Sequence, residues 1–305
     1  MVTISQQLEQ LQKDKQTLVE NLKYNSIEAS DNETFTSLVP KVTDIKYKPS
    51  YISFYYFSGT DLSSELEHLD TSDIQNMAYM FTGCSNLISL DLSNFNTSKV
   101  TNMNAMFNNC TTLKTLDVSG FDTGNVTSNN MARMFSNCLS LEELDISNFN
   151  MTGLINMQNM FSGCSELSKL NLTGVDFSSI SSATSAFQNC SSLTSLDLSG
   201  FTNSAFNGGS NMFNGCSSLT SIDLKNLTIT GGFSNVNNMF KDCSGLMYLD
   251  IRGMDLDAVS SYSTMLSGVP TDCEIIVKDD LNKELLMNVY TTLTNVKTVA
   301  EKEAE

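Results

Sequence analysis

Residues 80–107 read MFTGCSNLISLDLSNFNTSKVTNMNAMF, and most of the 305-residue chain repeats this stretch with small changes. The cysteines expose the period: Cys84, Cys110, Cys138, Cys164, Cys190, Cys216, Cys243 and Cys273 are separated by 26, 28, 26, 26, 26, 27 and 30 residues. Three residues after each of the first seven stands a leucine: Leu87, Leu113, Leu141, Leu167, Leu193, Leu219 and Leu246. An L-x-L-like tripeptide follows at once, as in Leu90-Asp91-Leu92, Leu144-Asp145-Ile146 and Leu249-Asp250-Ile251. Self-similarity at a period of about 20–50 residues marks a solenoid, whose units bury their apolar faces only by stacking.

Within the unit, alternation with period two sends Leu90 and Leu92 inward and Ser89, Asp91 and Ser93 outward, which predicts one short parallel strand per repeat. Met103, Met106 and Phe107 then fall at i, i+3 and i+4, the spacing of the inner face of a short helix. The trio recurs as Met77, Met80, Phe81; Met131, Met134, Phe135; and Met157, Met160, Phe161, and is weakened to Ala183, Ala186, Phe187 and Val236, Met239, Phe240. The units around Ser182–Ala186 and the Gly-rich Asn203–Ser210 are expected to be locally weak. The fold expected is therefore α/β: a right-handed leucine-rich-repeat solenoid of about eight repeats of about 26 residues, with one strand and one helix per turn, an N-terminal helix and a C-terminal cap.

Four segments follow from this pattern. Residues 1–50 form an N-terminal helical module and linker in which Ile4, Leu8, Leu11, Leu18 and Leu22 keep an a/d heptad seam, with Lys15 at one position where an apolar residue is expected. Two outcomes stay open for that seam, a short coiled coil joining copies through residues 1–24 or a helix lying on its own neighbouring segment. Residues 51–76 read as a degenerate capping repeat, because Leu69-Asp70-Thr71-Ser72 aligns with Phe95-Asn96-Thr97-Ser98 while aromatics replace the strand. Residues 77–273 are the solenoid, and residues 274–305 the C-terminal cap. The cap opens with the strand Glu274–Lys278, continues as a helix around Leu285, Leu286, Val289 and Tyr290, and ends in EKEAE, which is expected to fray.

The net charge of −17 is concentrated in the repeats: residues 51–277 hold 21 acidic and 7 basic residues, a balance of −14. Such a surface repels phosphate backbones, which bind through Lys and Arg, so neither nucleic acid nor an anionic membrane is expected as a partner. The start, MVTISQQLEQ, lacks the basic region and apolar run of a secretory signal. No segment approaches the roughly 20 apolar residues of a membrane span.

Two resemblances enter here. The unit M-F-x-x-C-x-x-L-x-x-L-D-L-S-x-F-x-T-S-x-V-T-N-M closely resembles the BspA-like branch of leucine-rich repeat proteins over about residues 69–273; that resemblance implies a bacterial surface protein or lipoprotein, associated with adhesion. The run QQLEQLQKDKQTLVENL with FTSLVPKVTDI resembles an N-terminal module of tail and fibre-like proteins of phages and prophages, which implies a receptor-binding protein of a virion tail.

Candidate functional residues are repeated ones. One thiol per turn reads as a buried packing ladder of free cysteines, with neighbour-to-neighbour disulfides as the alternative. The column Asp91, Asp117, Asp145, Asp197, Asp223 and Asp250 lines one sheet face, where adjacent carboxylates about 4.8 Å apart repel by about 0.9 kcal/mol even in water. Something must offset that, either hydrogen bonds to backbone amides and Ser/Thr hydroxyls or a cation or polyol ligand. The methionines are core. No G-x-S-x-G, H-E-x-x-H or P-loop is present, so no catalytic, cofactor-binding or metal site is assigned. The candidate binding face comprises Ser89, Asp91 and Ser93; Thr115, Asp117 and Ser119; Glu143, Asp145 and Ser147; and Asp197, Asp223 and Asp250. The function expected is non-enzymatic recognition of a cell-surface glycan or protein, by a tail-associated protein in a virion or by an adhesin at a cell surface. A structural spacer that binds nothing through its repeats is the contrasting expectation.

Overall fold

The computed structural model describes Phe54, residues 59, 60, 62 and 66, and residues 69–202, 206–229, 235–259 and 261–305. The heptad seam and the rest of residues 1–50 lie outside the described residues.

The L-x-L tripeptides form short strands, because alternate side chains meet the core and water. They are β1 (Ser89–Leu90), β2 (Thr115–Leu116), β3 (Glu143–Asp145), β4 (Lys169–Asn171), β5 (Ser221–Asp223) and β6 (Tyr248–Asp250). The cap adds β7 (Glu274–Val277) and β8 (Val296–Thr298). Every pair is parallel, as one chain turn between strands requires, and equivalent residues face each other: Ser89 opposite Thr115, Leu144 opposite Leu170, Asp223 opposite Asp250. Among the described residues the ladder divides into three sheets, β1-β2, β3-β4 and β5-β6-β7-β8. The first division falls where the chain takes 28 residues between cysteines. The second falls at Leu196–Leu198, where no strand forms and Leu196 is only partly buried.

The expected helix in each repeat is not there. Among the described residues, the Met-x-x-Met-Phe segments are spirals of turns. Alternate N–H groups reach the next coil, Met103 to Asn130 O at 2.8 Å, Ala105 to Ala132 O at 2.9 Å and Phe107 to Met134 O at 2.8 Å. The groups between them turn back three residues, as Met106 does to Met103 O at 3.2 Å. A stacked coil brings carbonyls within reach that an isolated helix lacks, so pairing between coils wins over helix propensity. Two left-handed residues per coil make the spiral possible, such as Ala105 (φ 53°) with Asn109 (φ 60°), and Asn159 (φ 54°) with Gly163 (φ 80°). Left-handed backbone cannot continue an α-helix, and i, i+3, i+4 spacing buries the same three side chains either way.

The core is one continuous cluster from Leu62 to Val296. Its axis is a spine of eight phenylalanines, Phe54, Phe81, Phe107, Phe135, Phe161, Phe187, Phe213 and Phe240, with neighbouring centroids 5.4 to 5.8 Å apart and ring planes within 8° of parallel. Beside it run the cysteines, all buried and unbridged. Each thiol from Cys110 to Cys243 donates to the carbonyl of a phenylalanine in the preceding coil, for example Cys110 to Phe81 O and Cys164 to Phe135 O, both at 3.1 Å. Burial pushes the Cys164 thiol up to about 12, so it stays protonated and can donate.

The Ser182–Ala186 unit is not weakened in its backbone pairing: Ala183, Ser185 and Phe187 donate to Gly208, Ser210 and Met212 at 2.8 to 2.9 Å. In the cap, helix α1 (Asp280–Val289) starts at Asp279, whose side chain accepts from Asn282 N–H. Asn282 is buried and its Oδ1 accepts from Leu256 N–H at 2.7 Å. The tail does not fray as its composition suggests. It forms helix α2 (Val299–Glu303) behind a capping box of Thr298 and Glu301, and Glu305 pairs with Lys297 and Lys302.

Candidate binding face

The outward residues of β1 to β4 are held by the chain itself. In each L-D-L-S stretch the Asp Oδ1 accepts the N–H two residues on: Asp91 from Ser93, Asp117 from Ser119 and Asp145 from Ser147, each at 2.9 Å. This Asx turn bends the chain out of the strand, which is why Asp recurs at that position. Asn171 does the same for Thr173 at 3.1 Å and donates its Nδ2 to Asp145 Oδ2 at 2.9 Å. A second Asx corner follows at Asn96, Asp122, Asn150 and Asp176, and a third precedes the turn spiral at Asn76, Asn102, Asn156 and Asn235. Thr71, Thr97 and Thr123 each donate Oγ1 to the following coil and accept an N–H back from it at 2.7 Å.

These bonds answer the repulsion expected along the Asp column. The backbone N–H and hydroxyl of Ser93 hold the Asp91 carboxyl below its ordinary value, and the hydroxyl and N–H of Ser119 and Ser147 do the same for Asp117 and Asp145. These bonds favour the ionised form of all three. Among the described residues no group of three or more His, Cys, Asp or Glu is arranged to hold a metal.

Nine of the twelve candidate residues line one open groove of about 950 Å³ across β1 to β4: Ser89, Asp91, Ser93, Thr115, Asp117, Ser119, Glu143, Asp145 and Ser147. The other three do not join it. Asp197 is exposed in the coil without a strand and bonds Ser199 N–H at 3.0 Å. Asp223 is exposed and paired with Lys225 at 2.7 Å. Asp250 is a correction to the expected face: it is 1% exposed, held by Arg252 Nε at 3.0 Å and Nη2 at 2.7 Å and by the Tyr248 hydroxyl at 3.2 Å, so it presents nothing to a partner. The groove also gathers Lys114, Glu142, Lys169 and Asn171, which the x-D-x pattern passed over. Lys169 pairs with Glu143 across β3 and β4.

Fold and face together are those of a parallel β-solenoid with an extended polar strand face, consistent with a leucine-rich-repeat solenoid. Residues 131–263 match the family described as BspA type leucine rich repeat region, in six copies, which supports the BspA-like leucine-rich repeat family for these repeats. Residues 52–175 match a family described as Mycoplasma protein of unknown function. Neither match supports the tail-protein resemblance of the N-terminal segment, which lies outside both matched regions. No curated protein matches the chain. A solved structure titled "Crystal structure of TLR13-ssRNA13 complex" aligns at 19% identity and a TM-score of 0.23, covering 60% of this chain and 32% of that one.

Proposed function

We propose that this protein is a non-enzymatic recognition protein of the surface-adhesion type, which holds a cell-surface protein or glycan against the strand face of β1 to β4. The observation that carries the reading is the groove, which nine outward residues from three consecutive coils line, six of them, the Asp and Ser of each coil, held in Asx turns. Pre-ordered polar groups cost less entropy to engage, which favours binding over mere spacing. The BspA-type match is consistent with an adhesin. A tail-associated receptor-binding protein would use the same face, but no observation favours it over the adhesin. Residues 1–24 join copies in this reading and raise avidity.

The test is adsorption of the labelled full-length chain to a panel of bacterial and mammalian cells, beside the variant Glu143→Ala, Asp145→Ala, Ser147→Ala. Selective labelling of one cell type, reduced at least tenfold in the variant, is expected. Undiminished labelling by the variant places recognition elsewhere, and no labelling of any cell makes the molecule a spacer.

A further inference from the structure

The groove is not a generic stretch of the repeat. It straddles the junction between β2 and β3, which do not pair as strands; the two coils are joined just before it by Ser140 N–H to Thr111 O at 3.2 Å and Glu142 N–H to Lys114 O at 3.5 Å. The equivalent bonds on either side, Lys114 to Ile88 O and Ser168 to Glu142 O, are 3.0 and 2.9 Å. The unit between these strands is the 28-residue one, so the break in strand pairing coincides with a departure from the 26-residue period.

What lines the groove discriminates between ligand classes. The lining contains no aromatic residue, and its apolar members Leu90, Leu116, Val118 and Leu144 are buried, so a sugar ring finds no flat apolar surface on which to stack. The charged groups on the lining are five carboxylates, from Asp91, Asp117, Glu142, Glu143 and Asp145, against two ammonium groups, from Lys114 and Lys169, a balance of −3. Three of the carboxylates stand at equivalent places on successive coils, in a row that crosses the strands. A row of rigid carboxylates matches guanidinium and ammonium groups, which bond carboxylates with charge-assisted and often bidentate geometry.

Resting on the strand-face reading above, we propose that the acidic groove across the β2–β3 junction docks an extended, cationic segment of a partner protein, its Arg or Lys side chains meeting the row of Asp91, Asp117 and Asp145 in turn. The glycan alternative becomes an outcome of the test.

Fluorescence anisotropy of the full-length chain with a labelled ten-residue peptide of alternating Arg and Ser, beside its Gln/Ser counterpart, measures this. The diagnostic variant is Asp91→Asn, Asp117→Asn, Asp145→Asn, which keeps the Asx turns because Asn171 already makes one in the same column. The control is Asp122→Asn, Glu166→Gln, Asp176→Asn, which removes the same charge from exposed positions outside the groove. The expected result is saturable binding of the Arg/Ser peptide, weakened at least tenfold by the groove variant and less than twofold by the control, and falling with added salt. Equal losses in both variants, no loss in the groove variant, or no preference for Arg/Ser over Gln/Ser would overturn the docking proposal. Cell labelling that survives such a result would leave the adhesion reading standing with a different ligand.

Discussion

At the residue scale, the repeated Asp is first a turn-former and only then a surface charge. Asp117→Asn should leave stability within about 0.5 kcal/mol, because Asn accepts the same N–H, whereas Asp117→Ala should cost about 1 kcal/mol by urea unfolding. The Ser bonds also set a pH dependence. The carboxyls of Asp117, Asp145, Asp176 and Asp197 are held below the ordinary value, chiefly by the hydroxyl and N–H of the serine two residues on. In that window the unfolded chain binds more protons, so their contribution is complete above the unfolded value of about 3.9 and fades as pH falls through the lower folded values. Carboxyl NMR titration should place these midpoints below the ordinary range; midpoints at or above it would remove the Asx explanation. Asp250 behaves differently because its carboxylate is buried against Arg252. Arg252→Ala strands that charge and should cost about 2 kcal/mol, far more than breaking the exposed Lys169–Glu143 pair. A cation two residues after the Asp did not mark that distinction, because Lys225 stands likewise after the exposed Asp223; what sets Asp250 apart is the Tyr248 hydroxyl beside the Arg252 guanidinium.

At the scale of the element, the strands were legible and the turn spirals were not. Leu90, Leu116 and Leu144 alternate with polar neighbours, and only a strand satisfies period two. Met103, Met106 and Phe107 satisfy a helix and a stacked turn spiral equally, so spacing alone left the choice to helix propensity, which pairing between coils overrode. The missed signal stands before the cysteines: Gly83, Asn109, Asn137, Gly163, Asn189, Gly215 and Asp242 are all left-handed, and all belong to the residue types that tolerate it. Gly163→Ala is the sharp check. A Cβ there meets Asn137 Oδ1 at 2.3 Å on a backbone of φ +80°, so a loss of about 1–2 kcal/mol is expected. Gly163→Asn should cost less, since Asn137 already stacks on Asn109 with Nδ2 to Oδ1 at 2.9 Å. If Ala proves as stable as Gly, the spiral geometry is wrong. Phe161→Ala, in the middle of the spine, should cost about 3–5 kcal/mol in the same denaturation assay.

At the scale of the whole molecule, the Phe spine, the Cys–Phe bonds and the backbone bonds between turn spirals tie coil to coil, with Thr71, Thr97 and Thr123 adding theirs in the first coils, so stability accumulates along the array as it does in repeat proteins. Among the described residues two places interrupt the strand pairing, the junction between β2 and β3 and the strandless coil at Leu196, and of these the first carries the groove. The sequence placed nine of the groove's residues by strand alternation, yet Lys114 and Glu142 escaped notice because they precede the strand and vary from coil to coil. The junction itself was visible only as an uneven cysteine step. The most direct test of the claim that this face does the recognising is adsorption to whichever cell type the wild-type chain labels best, compared between the groove variant Asp91→Asn, Asp117→Asn, Asp145→Asn and the control Asp122→Asn, Glu166→Gln, Asp176→Asn, at matched stability. The account predicts that the groove variant loses adsorption at least tenfold while the control keeps it; equal adsorption by the two variants would contradict it.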